Sequence, residues 1–157
     1  MLRYKKVATG GTFDHIHAGH RKLLERSFQV GDEVVIGLTS DEFVARLGKK
    51  PDHGYEKRKA ELGSFIEQRF PGRKFHIAKL NDYFGPGIAS SEVEALVASP
   101  ETSRRLALAN KLRAEKGFPP LKLVTVEWID ADDGRRISST RIRKGEIDPE
   151  GKLLRER

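Results

Sequence analysis

Three histidines fall within six positions of the stretch Thr9-Gly10-Gly11-Thr12-Phe13-Asp14-His15-Ile16-His17-Ala18-Gly19-His20. This combination suits phosphate binding. Gly10 and Gly11 let a phosphate approach the backbone, Thr12 adds a hydroxyl, and a helix opening near Ala18 would present unpaired N–H groups carrying partial positive charge. His17 and His20 are three apart, so in a first helical turn both rings project to one side and can converge on one phosphate. A zinc site of His15, His17 and His20 competes on composition, but neither a cysteine nor an HExxH helix supplies its setting. The dinucleotide fingerprint Gly-x-Gly-x-x-Gly does not follow this segment.

A second constellation, Ser138-Ser139-Thr140-Arg141-Ile142-Arg143, lies near the other end of the chain. Hydroxyls at a helix start ordinarily cap its free N–H groups. The same groups can cradle a polyphosphate, with Arg141 adding charge-assisted bonds. Lys49 and Lys50 on a glycine- and proline-bearing loop, with Arg58 just inside the next helix, form a third basic group able to neutralise a phosphate. Tyr83, in the turn Asn81 to Gly87, could stack on or hydrogen-bond to a ligand.

These residues need a scaffold, and the hydrophobic pattern supplies one. Apolar runs alternate with amphipathic stretches along nearly the whole chain, predicting strand-helix units around a parallel sheet. A first strand ends at Val7-Ala8-Thr9, where Gly10 and Gly11 break it, and a helix runs from about Ala18 to Phe28. A second strand spans Glu33 to Leu38, and Ser40 caps a short helix carrying Phe43, Val44 and Leu47. Gly48 to Tyr55 is an exposed loop, Glu56 to Phe70 a helix, and Phe75 to Ala78 a strand. Val93 to Ala98 reads as another strand, followed by a helix opening at Ser99-Pro100 and ending near Lys116-Gly117. Leu121 to Ile129 is the last strand; after the turn at Asp132-Asp133-Gly134, Ser138 opens a short helix that Gly145 closes. Parallel sheets bind ligands at the C-terminal ends of their strands, so both motifs are expected on one rim.

At 157 residues the chain is one domain, residues 1–157, without a linker or repeat. Its charge of +7 suits an anionic partner without choosing which. The basic residues are dispersed rather than interleaved with stacking aromatics, which argues against a nucleic-acid-binding module. No cysteine is present, excluding disulfides and thiol catalysis, and no apolar stretch approaches a membrane span, so a cytoplasmic protein is expected.

The Gly-Gly-Thr-Phe-Asp segment followed by His17-Ala18-Gly19-His20, together with Ile137-Ser138-Ser139-Thr140-Arg141-Ile142-Arg143, resembles the HxGH nucleotidyltransferases with their ISSTxxR signature. Within them, Tyr55-Glu56-Lys57-Arg58, Asp82-Tyr83-Phe84-Gly85-Pro86 and Ser99-Pro100-Glu101-Thr102 are most similar to the archaeal phosphopantetheine adenylyltransferase family. The resemblance implies a Rossmann-like α/β fold with helices on both faces of the sheet. It also implies transfer of AMP from ATP to 4′-phosphopantetheine, giving dephospho-coenzyme A and pyrophosphate, with Mg2+ as the metal. On this resemblance His17, His20 and Thr12 are the catalytic residues, with His20 donating to the α-phosphate. Gly10, Gly11, Thr12, Phe13, His17, His20, Ser138, Ser139, Thr140 and Arg141 bind ATP; Thr12, Lys49 or Lys50, Arg58 and Tyr83 bind the acceptor. The alternatives within this chemistry are a cytidylyltransferase or an FMN or NMN adenylyltransferase. The bacterial enzymes of this activity carry an arginine-rich stretch where this chain has Ala98 to Thr102, so their pantetheine contacts do not transfer.

Overall fold

The computed structural model describes residues 3–82, 85, 90–100, 103–127 and 129–154. The alternation of apolar runs and amphipathic stretches is realised as five parallel strands: β1 (Tyr4–Gly11), β2 (Gly31–Thr39), β3 (Lys74–Leu80), β4 (Ala95–Ala98) and β5 (Lys122–Thr125). They lie in the order β3-β2-β1-β4-β5. The chain builds outward from β1 in one direction, returns, and builds outward in the other. The crevice beyond the C-terminal ends of β1 and β4, where this reversal occurs, is the expected ligand site of an open parallel sheet.

Among the described residues, the helices accompanying the sheet are α1 (Ala18–Val30), α2 (Asp41–Arg46), α3 (Tyr55–Arg69), α4 (Ser103–Glu115) and α5 (Ser139–Arg143). Alternate strand residues point to opposite faces, and both faces are covered. On one, Val7, Val34, Ile36 and Val97 pack with Leu24 and Phe28 of α1 and Leu62 and Ile66 of α3. On the other, Ala8 and Leu96 pack with Leu121 and with Leu106 of α4. A third cluster of Ala131, Ile137 and Ile147, joined by Ala18 and Ile142, docks the C-terminal segment against the start of α1. Among the described residues no helix is long and apolar enough to cross a membrane.

Several boundaries differ from the sequence reading: β2 is longer at both ends and β4 begins at Ala95 rather than Val93, and the ends of β1, β3 and β5 have clear physical reasons. β1 does not stop at Thr9, because Gly10 and Gly11 stay in register with Gly37 and Leu38 of β2. A side chain on Gly10 would press against the Gly37 carbonyl oxygen at 3.1 Å, so this glycine serves strand packing before it serves a turn. β3 runs on to Leu80, since β2 offers it a partner as far as Thr39. β5 is shorter than Leu121 to Ile129: it pairs along the four residues of β4, and after the bond from the Val126 N–H to the Ala98 carbonyl the chain leaves the sheet. Pro100 and the helix from Ser103 flank Glu101 and Thr102, which lie outside the described residues, as does Tyr83 with most of its turn.

Candidate active site

Beyond Gly11 the chain leaves the sheet through Phe13, whose φ of 49° lies in the left-handed region that a bulky residue seldom adopts. Burial compensates for that backbone: the Phe13 ring is fully enclosed and lies 4.7 Å from the ring of His20. The two histidines then cap α1 with their own rings. Nδ1 of His17 accepts from the N–H groups of Gly19 at 3.0 Å and His20 at 3.3 Å, while Nδ1 of His20 accepts from the N–H of His17 at 3.3 Å. A Cβ on Gly19 would stand 2.9 Å from Cε1 of His17, so only glycine lets the ring fold back over the helix end. The rings stack with centroids 3.8 Å apart.

This cap corrects one expectation. The first N–H groups of α1 are not free for a phosphate, because Ala18 donates to the Pro149 carbonyl and Gly19 and His20 donate to His17. The imidazoles take over as donors. With each Nδ1 accepting from a backbone N–H, the proton of each neutral ring is assigned to Nε2. Burial, followed by the positive charges of Arg136 and Arg21, lowers the pKa of His17 to about 4. Burial and the adjacent His17 lower that of His20 well below its usual value, against the opposing pull of the His15 carbonyl. Both rings are therefore neutral hydrogen-bond donors at physiological pH.

A cavity of ≈ 290 Å³ opens over the crevice. One wall carries Gly10, Gly11, Thr12, Phe13, His17 and His20; the facing wall carries Ser138, Ser139 and Thr140 at the start of α5. Ser138 is the N-cap, accepting from the Arg141 N–H at 3.2 Å. The first N–H groups of α5 have no carbonyl within the helix to bond. Contacts bridging more than a hundred residues lock the walls together: Arg143 donates to Asp14 at 3.0 Å, and Ser139 Oγ reaches the His15 carbonyl at 3.5 Å.

Arg141 does not face this cavity. Its guanidinium pairs with Asp133 and donates to the carbonyls of Arg135 and Arg136. Arg143 occupies the expected place instead, lining the cavity and donating to Thr140 Oγ1 at 3.1 Å. Helical spacing carries the signal: Arg143 is four residues from Ser139 and shares its side of the helix, whereas Arg141 is two away. Arg136, also lining the cavity, was not singled out by any motif.

On the third side the basic loop folds over the opening. Lys49 lines the cavity, and desolvation there, with the charges of Arg136, Arg143 and Arg105, lowers its pKa. Lys50 is exposed and does not line it. Arg58 does not reach it either. It is fully buried, donating to the carbonyls of His53, Thr12 and Thr39 at 3.0, 3.1 and 2.9 Å and pairing with Asp41. Asp14, just 1% exposed, accepts from the N–H groups of Asp52 and His53 as well as from Arg143. Burial favours its neutral form, but those two N–H groups and the guanidinium prevail and hold its pKa below the ordinary value. Asp14, His15 and His53 lie close enough together to suggest a metal. The carboxylate is already committed to the guanidinium and the loop, so the cluster functions as a clasp between Arg143 and the Lys49 loop.

The cytidylyltransferase-like family matches residues 8–145 of the chain. The chain is 41% identical over 148 residues to the phosphopantetheine adenylyltransferase of Methanopyrus kandleri, covering 94% of each protein. It is 45% identical over 154 residues to that of Methanosarcina acetivorans, covering 96% of this chain and 97% of the relative. The chain belongs to the phosphopantetheine adenylyltransferase family. It is thus an enzyme of the nucleotidyltransferase class. Among solved structures, a protein of unknown function from Archaeoglobus fulgidus superposes with a TM-score of 0.69 at 30% identity, over 78% of this chain and 89% of that one. A bifunctional NMN adenylyltransferase/ADP ribose pyrophosphatase from Francisella tularensis, 17% identical with a TM-score of 0.58 over 90% of this chain and 41% of that one, shares the fold.

Within this adenylyltransferase, sequence reasoning missed Asp14, Arg136 and Arg143. Asp14 stood at the end of the Gly-Gly-Thr-Phe-Asp segment, but no spacing rule says that a carboxylate there will clasp backbone N–H groups and an arginine. Arg143 was visible in the helical period and in the last position of the ISSTxxR signature.

Proposed function

We propose that the enzyme transfers the adenylyl group of ATP to 4′-phosphopantetheine. An oxygen of the acceptor phosphate attacks the α-phosphorus in line, the bond to the β-phosphate bridging oxygen breaks, and pyrophosphate leaves with dephospho-coenzyme A as the other product. The acceptor is already an anion, so no base is required. What the protein supplies is alignment and charge stabilisation. The neutral Nε2–H groups of His17 and His20 donate to the α-phosphate as charge shifts during transfer. Ser138, Ser139, Thr140 and Arg143 hold the β- and γ-phosphates, and Thr12 and Lys49 hold the acceptor phosphate.

Magnesium fits as an ion that enters with the triphosphate. It takes oxygen ligands and retains waters, and among the described residues lining the cavity Glu127 is the carboxylate able to supplement phosphate oxygens. Bound there it would neutralise charge on the departing pyrophosphate.

The observation carrying this reading is the convergence of the two capped imidazoles and the Ser138–Thr140 turn on one cavity, joined by the bond from Arg143 to Asp14. Pyrophosphate release measured across ATP and CTP, each with phosphopantetheine, FMN or NMN, tests it. The expected result is release from ATP with phosphopantetheine; a preference for CTP, or for FMN or NMN, overturns the assignment.

A further inference from the structure

Behind Thr12 lies a second hydroxyl, that of Thr39 at the end of β2, 5% exposed. Its Oγ1 is 3.1 Å from Thr12 Oγ1. Nη1 of the buried Arg58 reaches Thr39 Oγ1 at 3.3 Å while also serving the Thr12 and Thr39 carbonyls at 3.1 and 2.9 Å.

The hydrogen-bond directions follow from chemistry. A guanidinium has donors and no acceptor, so Thr39 Oγ1 must accept from Arg58. With one lone pair of Thr39 occupied by Arg58, its single proton is assigned to Thr12 Oγ1. Thr12 receives that proton on a lone pair, which leaves its own proton available to the cavity that Thr12 lines. Every bond in the series Arg58, Thr39, Thr12 points the same way, and such a chain polarises each member in turn.

We propose that Thr39 is a positioning residue for the transfer, fixing the Thr12 hydroxyl as a one-way donor to the acceptor's phosphate. The proposal rests on the reading of Thr12 as an acceptor-phosphate ligand. A phosphate anion repels an inward-facing lone pair and attracts an inward-facing proton. A threonine hydroxyl on its own rotates between the two. The partner behind it removes that choice before the substrate arrives, so the ordering cost of binding falls. Arg58 anchors the relay at its buried end and also bonds the His53 carbonyl, which ties the relay to the Lys49 loop.

Steady-state kinetics with Thr39→Val, Thr39→Ser, Thr12→Val and the double variant test this. Valine matches threonine in shape and leaves Arg58 its carbonyl partners. The expected result for Thr39→Val is a rise of about 10-fold in KM for phosphopantetheine, the size of one lost hydrogen bond to a charged group, with KM for ATP within about twofold of wild type. Thr39→Ser, which keeps the hydroxyl, should stay within about twofold of wild type. In a Thr12→Val background Thr39→Val should have no further effect, because the hydroxyl it orients is gone. Thr39→Ala supplies the same comparison if valine disturbs packing, with thermal melting as the check. Equal losses toward both substrates, failure of serine to rescue, or full additivity with Thr12→Val would overturn the relay. A wild-type enzyme inactive with ATP and phosphopantetheine would overturn the functional reading and the relay with it, whereas an active enzyme indifferent to Thr39→Val overturns the relay alone.

Discussion

Replacing Arg58 by Met separates a structural arginine from a substrate ligand. The native guanidinium is fully buried and bonded to three backbone carbonyls, those of His53, Thr12 and Thr39, and to Asp41. Met fills similar volume but donates nothing, leaving those carbonyls without the guanidinium at the junction of β2, the Thr12 turn and the basic loop. A buried acceptor stripped of its partner costs about 1–3 kcal/mol. The ion pair adds little, because Asp41 is half-exposed. With two of the carbonyls bearing most of the loss, the variant should be destabilised by about 4 kcal/mol. For a chain of 157 residues that lowers Tm by roughly 10 °C, at about 2–4 °C per kcal/mol. Thermal melting followed by circular dichroism measures it, with Arg58→Lys as an intermediate case that keeps charge but loses the fork. If Arg58→Met melts within about 2 °C of wild type and only KM for the acceptor changes, Arg58 is a substrate ligand and its structural assignment is wrong.

Other perturbations should resolve the remaining roles. Arg143→Ala should raise KM for ATP or depress kcat by at least about tenfold, whereas Arg141→Ala should leave ATP kinetics close to wild type; the reverse order in initial-rate measurements would return the phosphate role to Arg141. Lys49→Ala should raise KM for the acceptor about tenfold and Lys50→Ala should have little effect, since Lys49 alone of the pair lines the cavity. Acid should weaken the fold through the buried rings. The His17 pKa is lowered to about 4 in the folded state, so between pH 6.5 and 4 the unfolded chain binds the additional proton. This stability is fully present above pH 6.5 and declines as pH falls toward 4, by about 3 kcal/mol for His17, with His20 acting in the same direction; the contribution of Asp14, its pKa lowered from 3.8, is lost only at still lower pH. Urea midpoints that stay flat from pH 7 to 5 would contradict that sign. His20→Ala should lower kcat by about 10²-fold with smaller effects on KM for ATP, and a wild-type rate in a folded variant would remove His20 from the chemistry.

The architecture was legible because its determinants are local. β2 reads as a buried strand in its apolar run, Ser40 is a side-chain cap, and Gly145 ends α5 at a φ of 73°. The meeting of two motifs far apart in sequence followed from one topological rule, that parallel strands share a C-terminal rim. Side-chain direction was harder to read. Arg141 and Arg143 differ in sequence by two places but face opposite partners, Asp133 and Asp14. Arg58 looked like part of a basic patch until its acceptors were known, and a lone arginine near a helix start does not reveal whether carbonyls wait behind it. The pairing of Gly10 and Gly11 with β2 was hidden for a related reason: glycine pairs signal turns, and here a close neighbouring strand accounts for Gly10.

The capped histidine pair and the Ser138–Thr140 turn should grip one nucleotide tail from opposite sides. A crystal structure with a non-hydrolysable ATP analogue and phosphopantetheine tests it most directly. An α-phosphate oxygen is expected about 3 Å from Nε2 of His20 or His17, with the terminal phosphates on Ser138, Ser139, Thr140 and Arg143. A triphosphate lying away from the histidines, or held by Arg141 outside the cavity, would contradict it.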